Sequence, residues 1–146
     1  MRKLTLESEF PITIEKIDDT EKKLDIIFPR IYKEFLLTNN GHHLLECNFE
    51  KEENWILSIN FLYSISDSKE CSLLHIAEMY YENFMSKNFL PIGDDGDWIF
   101  VISLRDIDYE YIYIYKTDDV EDDCLVFLSN SLENFVNSLF PNKRSV

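Results

Sequence analysis

The sequence predicts an α+β fold, in which helices pack on a mixed or antiparallel β-sheet. Three stretches carry apolar residues at helical spacing, one near each end of the chain and one in the middle. Between them lie runs that are rich in β-branched and aromatic residues, which favour strands. The resulting order of helices, strands, helix, strands and helix is typical of helices that pack against one sheet.

The first forty residues predict two helices that are separated by a proline. Apolar residues close to helical spacing predict a helix over residues 13–26. A second helix is predicted from Pro29 to about Thr38, because proline suits the first helical position, where its missing N–H would be unpaired anyway. The run Asn39-Asn40-Gly41 supplies residue types that adopt the left-handed conformation and so end helices.

The middle of the chain changes from strand patterns to a helical one. Residues 44–65 predict two strands, with a turn over residues 51–54 that makes a hairpin. Helical spacing returns over residues 70–85, and Asn88 is predicted to end that helix.

The second half predicts a buried strand followed by an alternating one. Residues 98–104 are continuously apolar, which predicts a strand in the interior of the sheet. Over residues 109–115 every second residue is a tyrosine, and Ile112 and Ile114 point the other way. Both faces of this strand therefore need to be packed against something. The tyrosines either lie partly in the core or form a contact surface for a partner.

An acidic turn, a short strand and a helix complete the chain. Residues 118–123 form the turn and residues 125–128 the strand. A last helix is predicted over residues 129–139, capped by Ser129, Asn130 or Ser131. The 146 residues are an ordinary size for one domain, which we place at residues 1–146.

The charge of the chain is strongly acidic and unevenly spread. The formal net charge is −14. Residues 94–123 alone hold eleven acidic and two basic residues, a net charge of −9. A field of this sign repels nucleic acid and anionic membranes and attracts basic proteins. We therefore expect no binding to nucleic acid or to membranes.

The cysteines and the N-terminus point to the cytoplasm. Cys47, Cys71 and Cys124 are widely spaced and odd in number, which favours reduced thiols in a reducing compartment. Glu7 and Glu9 interrupt the N-terminal segment, so it does not read as a signal peptide. We expect a cytoplasmic protein.

No pattern in the sequence predicts a cofactor, a metal ion or catalysis. Asp94-Asp95-Gly96-Asp97 does not fit the spacing of a calcium loop and reads as a tight turn. His42, His43 and His75 lack the close ligand pairs of zinc sites. Nucleophile elbows and phosphate loops are absent from the sequence. We expect a protein that is not an enzyme, although a hydrolase assembled from carboxylates stays an alternative.

Residues 24–41 resemble the signature of the SUKH superfamily. That signature joins an amphipathic helix, a step into proline, a Tyr, a Phe-Leu pair and an Asn-Gly stop. Asp25, Phe28 and His42 depart from it, where Gly, Leu and a second Gly are frequent. The resemblance extends along nearly the whole chain through further segments: Ile17, Glu21 and Leu24 in the first helix, residues 89–97 as a central turn into a buried strand, and residues 129–139 with Phe135 as a closing helix.

The resemblance implies an immunity protein that binds and neutralises a toxin of a polymorphic toxin system, many of which are nucleases. Fungal members regulate cell-wall synthesis, so an interaction scaffold that is unrelated to toxins is the alternative. We expect a cognate protein toxin that is basic, and a chain that is a monomer or a weak dimer. The expected partner-binding residues are acidic or aromatic: Asp94, Asp95, Asp97, Trp98, Asp106, Asp108, Tyr109, Glu110, Tyr111, Asp118, Asp119, Glu121, Asp122 and Asp123.

Overall fold

A five-stranded antiparallel sheet forms the centre of the molecule. The structure is a computed structural model that describes residues 1–67, 72–117 and 124–142. In chain order its elements are β1 (Leu6–Glu9), α1 (Ile14–Leu24), α2 (Arg30–Thr38), β2 (Gly41–Leu44), β3 (Asn48–Glu52), β4 (Trp55–Ser58), β5 (Phe61–Leu62), α3 (Leu73–Asn83), β6 (Phe89–Asp94), β7 (Ile99–Ser103), a 3₁₀ turn (Asp106–Asp108), β8 (Ile112–Tyr115), β9 (Leu125–Ser129) and α4 (Leu132–Asn137). The predicted α+β class is confirmed.

Strand β7 lies in the middle of the sheet, whose order is β5-β6-β7-β8-β9 with every neighbour antiparallel. Each of its five residues is buried, as the continuous apolar run predicts. Its neighbours on both sides are long enough to pair along it, with Ile102 opposite Leu90 on β6 and Ile112 on β8. The prediction of a buried interior strand is confirmed.

The two faces of the sheet carry different side chains. On one face, which we call the helix face, Phe100 and Ile102 pack with Ile112 and Ile114 in a cluster that includes the buried apolar residues of α1, α2, α3 and α4. On the other, the aromatic face, Ile99 and Val101 pack with Met85 and Phe89. Tyr80, Tyr81, Tyr113, Tyr115 and Leu125 border this second cluster. Strand alternation sends successive residues of one strand to these two environments.

Helix α1 begins and ends at identifiable caps. The Thr13 hydroxyl oxygen accepts a hydrogen bond from the Lys16 N–H at 3.4 Å. At the other end Asp25 takes the left-handed conformation, with φ of 55°, and its N–H returns to the carbonyls of Glu21 and Lys22. The Glu21 carboxylate accepts from the Phe28 N–H at 2.7 Å, which ties the end of α1 to the start of α2.

Two sequence predictions about α2 are wrong in detail. Pro29 is the N-cap, not the first helical residue, because its ψ of 143° is extended. The residues Asn39-Asn40-Gly41 are not left-handed, since none of them has a positive φ. Asn39 instead hydrogen-bonds the backbone of Arg2 and Leu4, and Asn40 that of Phe10 and Ile65. These buried amides end the helix by binding neighbouring chain segments.

Strand β1 was not predicted from the sequence, and neither was its partner β2. Ser8 lies opposite His42, and Gly41 faces Glu9. A Cβ atom on Gly41 would lie 2.1 Å from the Ser8 carbonyl oxygen, so glycine is required by the close approach of β1. Each strand is only four residues long, so the pairing between them is what identifies them as strands.

The predicted strands over 44–65 are found as shorter segments. β3 and β4 form the expected antiparallel hairpin, with its turn at Glu53-Asn54, where Asn54 has a φ of 67°. β5 is a separate two-residue strand that pairs with β6.

Three boundaries in the second half differ from those predicted. Helix α3 ends at Asn83 and not at Asn88, whose carbonyl instead accepts from the Leu104 N–H at 2.7 Å. Residues 89–94, expected to form part of a turn, are strand β6. Helix α4 is shorter than predicted and is capped by Ser131, whose hydroxyl oxygen accepts from the Asn134 N–H at 3.1 Å.

Within the described part of the chain, none of the helices combines the length and the apolar character that crossing a membrane requires.

Candidate protein-binding surface

The turn between β6 and β7 holds three of the expected partner-binding carboxylates. Asp95 Oδ1 accepts from the N–H groups of Asp97 and Trp98, at 2.8 and 2.7 Å. Asp94 accepts from the Gly96 N–H at 3.0 Å and from the Tyr63 hydroxyl at 2.7 Å. Asp94 and Asp95 therefore build the turn, and Asp97 is the carboxylate that extends into solvent.

Trp98 follows this turn and is half-buried. Its ring packs against the cluster on the helix face. The Lys116 ammonium lies over the same ring, 4.9 Å from its centroid, in a cation–π contact. The positive charge of Lys116 therefore lies against a ring that is expected from the sequence to contact a basic partner.

The connection between β7 and β8 holds the next group of expected residues, among which Asp108 is buried. Its carboxylate accepts from the Ser103 hydroxyl, from the Arg105 guanidinium through both Nε and Nη2, and from the Tyr113 hydroxyl at 2.6 Å. Arg105 also lies 5.0 Å from the Phe89 ring centroid. The four polar groups form one network at the end of the aromatic face.

The charge state of this network follows from its geometry. Burial alone would raise the pKa of Asp108, but the hydrogen bonds from Arg105, Ser103 and Tyr113 and the charge of Arg105 lower it below its ordinary value. Burial and the hydrogen bond to Asp108 raise the pKa of Tyr113 to about 12. Asp108 is therefore an internal anion whose hydrogen bonds are directed to its own chain.

Burial of Asp108 corrects its assignment as a partner-binding residue. A carboxylate that is 6% exposed and bonded on both oxygens has no free atom to offer a Lys or Arg of another protein. No local sequence pattern indicates this burial, because Asp108 belongs to the same acidic stretch as the exposed Asp106.

The acidic stretch is divided between the two ends of the sheet. Ile99 pairs with Asp94 and Tyr115, so the β6–β7 turn and Lys116 lie at one end. Ile102 pairs with Ile112, so the connection over residues 104–111 lies at the other end, about 14 Å away along β7. Consecutive loops of an antiparallel sheet fall on alternating ends, and the described acidic residues of this stretch are therefore divided between the two ends.

Five further expected residues, Asp118, Asp119, Glu121, Asp122 and Asp123, lie outside the described residues. The described residues on either side of them meet at the end of the sheet that holds the β6–β7 turn. There the Lys116 N–H donates to the Cys124 carbonyl at 2.6 Å.

The tyrosine stripe is shorter and more covered than its pattern suggests. Strand β8 begins at Ile112, because Glu110 has a φ of 73° and breaks the extended run. Tyr109 is exposed, and Tyr111 is half-buried against the Phe127 ring at 5.6 Å between centroids. Tyr109, Glu110 and Tyr111 therefore lie in the connection and not on a strand.

A groove that the sequence did not predict opens beside this connection. It measures about 870 Å³ and lies between the C-terminal half of α1 and the β7–β8 connection. Asp18, Asp25 and Ile27 line one side, and Leu104 and Tyr109 line the other. These side chains are 77 or more positions apart across the groove in sequence, so no local pattern joins them.

Packing contacts hold His42, whereas His43 and His75 are exposed. His42 Nε2 lies 3.2 Å from the Ser64 hydroxyl, and its ring meets the edge of Phe10 at 4.8 Å between centroids. Across residues 1–67, 72–117 and 124–142, no three His, Cys, Asp or Glu side chains converge as metal ligands would.

A family model describes most of this fold and both sides of the groove. The SMI1 / KNR4 family (SUKH-1) model matches residues 11–138. This chain belongs to that family. Membership confirms the resemblance to the SUKH superfamily that the sequence pattern showed. Among curated proteins none matches the chain. As a SUKH-1 protein it joins a group that is generally non-catalytic and whose members are associated with binding other proteins.

The structure explains one departure from the superfamily signature, the aspartate at position 25. Asp25 occupies the left-handed position at the end of α1, where the superfamily frequently has glycine. The residue type differs while the backbone conformation that favours glycine is kept.

Proposed function

We propose that this chain is an immunity protein that binds a cognate toxin domain and neutralises it by covering its working surface. The observation that carries the proposal is membership of SUKH-1 over residues 11–138, since bacterial members of the superfamily are understood as toxin-binding proteins. The proposed mechanism is steric and electrostatic, without a chemical step. The protein would act in the cytoplasm, where a toxin reaches its target.

Electrostatics support a basic toxin, of which nucleases are the common kind. The chain has a net charge of −14, and exposed carboxylates such as Asp97 and Asp106 stand at both ends of the sheet. Complementary charge raises the rate of encounter, and contacts that are desolvated in the complex determine how slowly it dissociates. Asp118, Asp119, Glu121, Asp122 and Asp123 would add further negative charge to this attraction.

A co-expression experiment tests the proposal. The C-terminal domain of the protein that the adjoining gene encodes is expressed under a separate promoter, with and without this chain. We expect growth arrest without the chain, recovery with it, and a stable complex on size-exclusion chromatography. A domain that arrests growth equally in both cases would contradict the proposal. A complex with a non-toxic basic protein would favour the scaffold alternative.

The role of charge is tested by changing Asp118, Asp119, Asp122 and Asp123 to Asn. We expect the fold to survive, the association rate with the toxin domain to fall, and its dependence on salt to flatten. Dissociation should change less, unless one of these carboxylates is buried in the complex. Stopped-flow binding at several salt concentrations measures all three. An unchanged rate and salt slope would mean that these residues only face solvent.

A further inference from the structure

Strand β9 has a side along which no other described strand pairs. It is the last strand of the central sheet and pairs with β8. Among the described residues, the backbone groups of Leu125–Ser129 make no hydrogen bond outside this pairing. A row of unpaired N–H and C=O groups is a template for a further strand, and we call this side of β9 the open edge.

Two residues of β9 direct their backbone N–H and C=O groups toward the open edge. In an antiparallel pair, hydrogen-bonded and non-hydrogen-bonded positions alternate. The Lys116 N–H donates to the Cys124 carbonyl at 2.6 Å, which makes Cys124 a hydrogen-bonded position. Val126, two residues later in the same register, is the next one. Leu125 and Phe127 therefore turn their backbone donors and acceptors away from β8.

The open edge is neutral, apolar and short. Residues 125–128 carry neither a charge nor a proline, the side chains that outer strands commonly use to prevent pairing. Phe127 is 45% exposed, and its ring lies 6.1 Å from that of Tyr113 on the aromatic face. One protective feature is present, because a register shift against β8 places a bulge at Leu128. Regular pairing is therefore open only from Cys124 to Phe127.

The geometry of the open edge matches a second copy of itself. When two β9 strands run antiparallel about a two-fold axis at Val126, Leu125 of each copy lies opposite Phe127 of the other. These residues then exchange four N–H···O=C bonds, and none of their donors or acceptors is left unpaired. Leu125 borders the cluster on the aromatic face, where Phe127 contacts Tyr113, so the facing side chains form apolar pairs.

Charge favours the same arrangement. Residues 124–132 are uncharged, which suits a neutral strand, while five acidic residues precede β9 in the sequence, at 118–123. Parallel pairing would bring the starts of two β9 strands within about 5 Å of each other. Antiparallel pairing about Val126 places the two Cys124 residues roughly 14 Å apart along the strands. That separation exceeds the screening length of about 8 Å at physiological salt, so repulsion between the two acidic chains is reduced.

We propose that the open edge of β9 is a self-association site, at which two copies of this chain pair antiparallel and join their central sheets. The inference goes beyond toxin binding and does not depend on it. Four hydrogen bonds and one exposed ring from each copy form a contact far smaller than the ~1,200 Å² of stable interfaces. The dimer is therefore weak, with a Kd on the order of 100 µM.

Sedimentation velocity of the wild-type chain tests the dimer itself. Between ~10 µM and ~1 mM we expect a shift from monomer to dimer. Because two acidic chains repel each other, added salt should strengthen the dimer, whereas it weakens binding to a basic toxin. A chain that stays monomeric over this range overturns the proposal. A dimer that weakens as salt rises would be held by ion pairs, and that result overturns the neutral edge.

Two variants test whether the open edge forms the contact. Leu125→Pro removes an outward N–H and leaves the pairing with β8 intact. Phe127→Lys places a charge on the edge. We expect each change to weaken the dimer by about tenfold or more, with thermal unfolding as the check on folding. Ile56→Lys, at a 51% exposed position of β4, is the matched control and should leave the dimer unchanged. A dimer that persists in Phe127→Lys overturns the site.

Cross-linking tests the register of the two strands. Val126→Cys places a thiol opposite its own copy across the two-fold axis, so oxidation should give a covalent dimer on a non-reducing gel. Leu125→Cys, whose thiol would face Phe127, should not, and the wild-type chain controls for the native cysteines. The reverse pattern overturns the axis at Val126. A monomeric wild-type chain whose Phe127→Lys variant loses toxin binding would assign the edge to the toxin and overturn the second copy.

Discussion

The two faces of the central sheet are covered by different parts of the chain. The helix face is buried under α1, α2, α3 and α4 by a cluster that is almost entirely apolar, in which Phe100 and Phe135 lie 6.0 Å apart between ring centroids. The aromatic face is covered by the end of α3 and by its own tyrosines, and it carries the Arg105–Asp108 network. Phe127 at its edge is 45% exposed.

This difference separates residues that stabilise the fold from residues that are available to bind a partner. Apolar burial on the helix face supplies most of the stabilisation, in proportion to the area removed from water. On the aromatic face, stability depends on hydrogen bonds that hold the β7–β8 connection against the sheet. The same connection forms one side of the groove. Four sets of variants test this division.

The largest effect is expected for Phe35→Ala on the helix face. Phe35 is 4% exposed and stacks with Tyr32 at 6.2 Å between centroids, so its removal leaves a cavity in the large cluster. We expect a loss of about 3–5 kcal/mol in the free energy of unfolding, measured with denaturant. Leu37→Ala, at a 46% exposed position of the same helix, should cost much less. A loss below ~1 kcal/mol for Phe35→Ala would place the ring outside the core.

The second effect concerns the network on the aromatic face. Asp108→Asn removes the charge that pairs with Arg105 and leaves the guanidinium partly buried, so we expect a loss of about 2–3 kcal/mol. Asp106→Asn is the matched control in the same 3₁₀ turn, where the side chain is exposed, and should be close to neutral. Equal losses for the two variants would contradict a stabilising role for the network.

The pH dependence of the same variant gives an independent test. Because the folded-state pKa of Asp108 is lowered, its contribution to stability is fully present above its unfolded pKa of about 3.9 and is lost as the pH falls through the folded value. The stability difference between wild type and Asp108→Asn should therefore be constant near neutral pH and shrink below about pH 4. A difference that stays constant down to pH 2 would contradict this coupling.

A smaller effect, of opposite sign, is expected at Tyr32. Its hydroxyl is fully buried on the helix face and has no hydrogen-bond partner among the described residues. Burial, together with the nearby Tyr81, raises its pKa far above the ordinary value. Tyr32→Phe removes the unpaired group and should stabilise by up to ~1 kcal/mol. Tyr113→Phe, which breaks a bond to Asp108, should destabilise, and thermal unfolding of the pair compares the two faces directly.

The smallest effect is expected at the edge of the aromatic face. Phe127→Ala should cost under ~1 kcal/mol in denaturant unfolding, because nearly half of the ring already faces solvent. A loss close to that of Phe35→Ala would mean that the aromatic face carries as much of the fold energy as the helix face, and the division between them would fail.

The reduced state of the three cysteines stays a prediction from the sequence. Cys47 is a half-buried free thiol, Cys124 is buried, and Cys71 lies outside the described residues. Mass spectrometry under non-reducing conditions should find three reduced thiols.

The sequence by itself determined the elements with strong local patterns. The buried strand β7, the two N-terminal helices, the β3–β4 hairpin and the Asp-Gly turn follow from apolar spacing and turn chemistry within a few residues of each other. The order of these motifs was also enough to place the chain in the SUKH superfamily. The short strands β1 and β2 were missed, because their pairing with each other across distant parts of the chain defines them.

Only the tertiary structure decided which charged side chains are exposed and so available to a partner. Asp106 and Asp108 are two residues apart in one acidic stretch, yet one faces solvent and the other is enclosed by Ser103, Arg105 and Tyr113. The groove likewise joins Ile27 to Tyr109, 82 positions later. Charge and hydropathy belong to a residue type, whereas exposure depends on which segments pack against it, and antiparallel pairing sends neighbouring loops to opposite ends of the sheet.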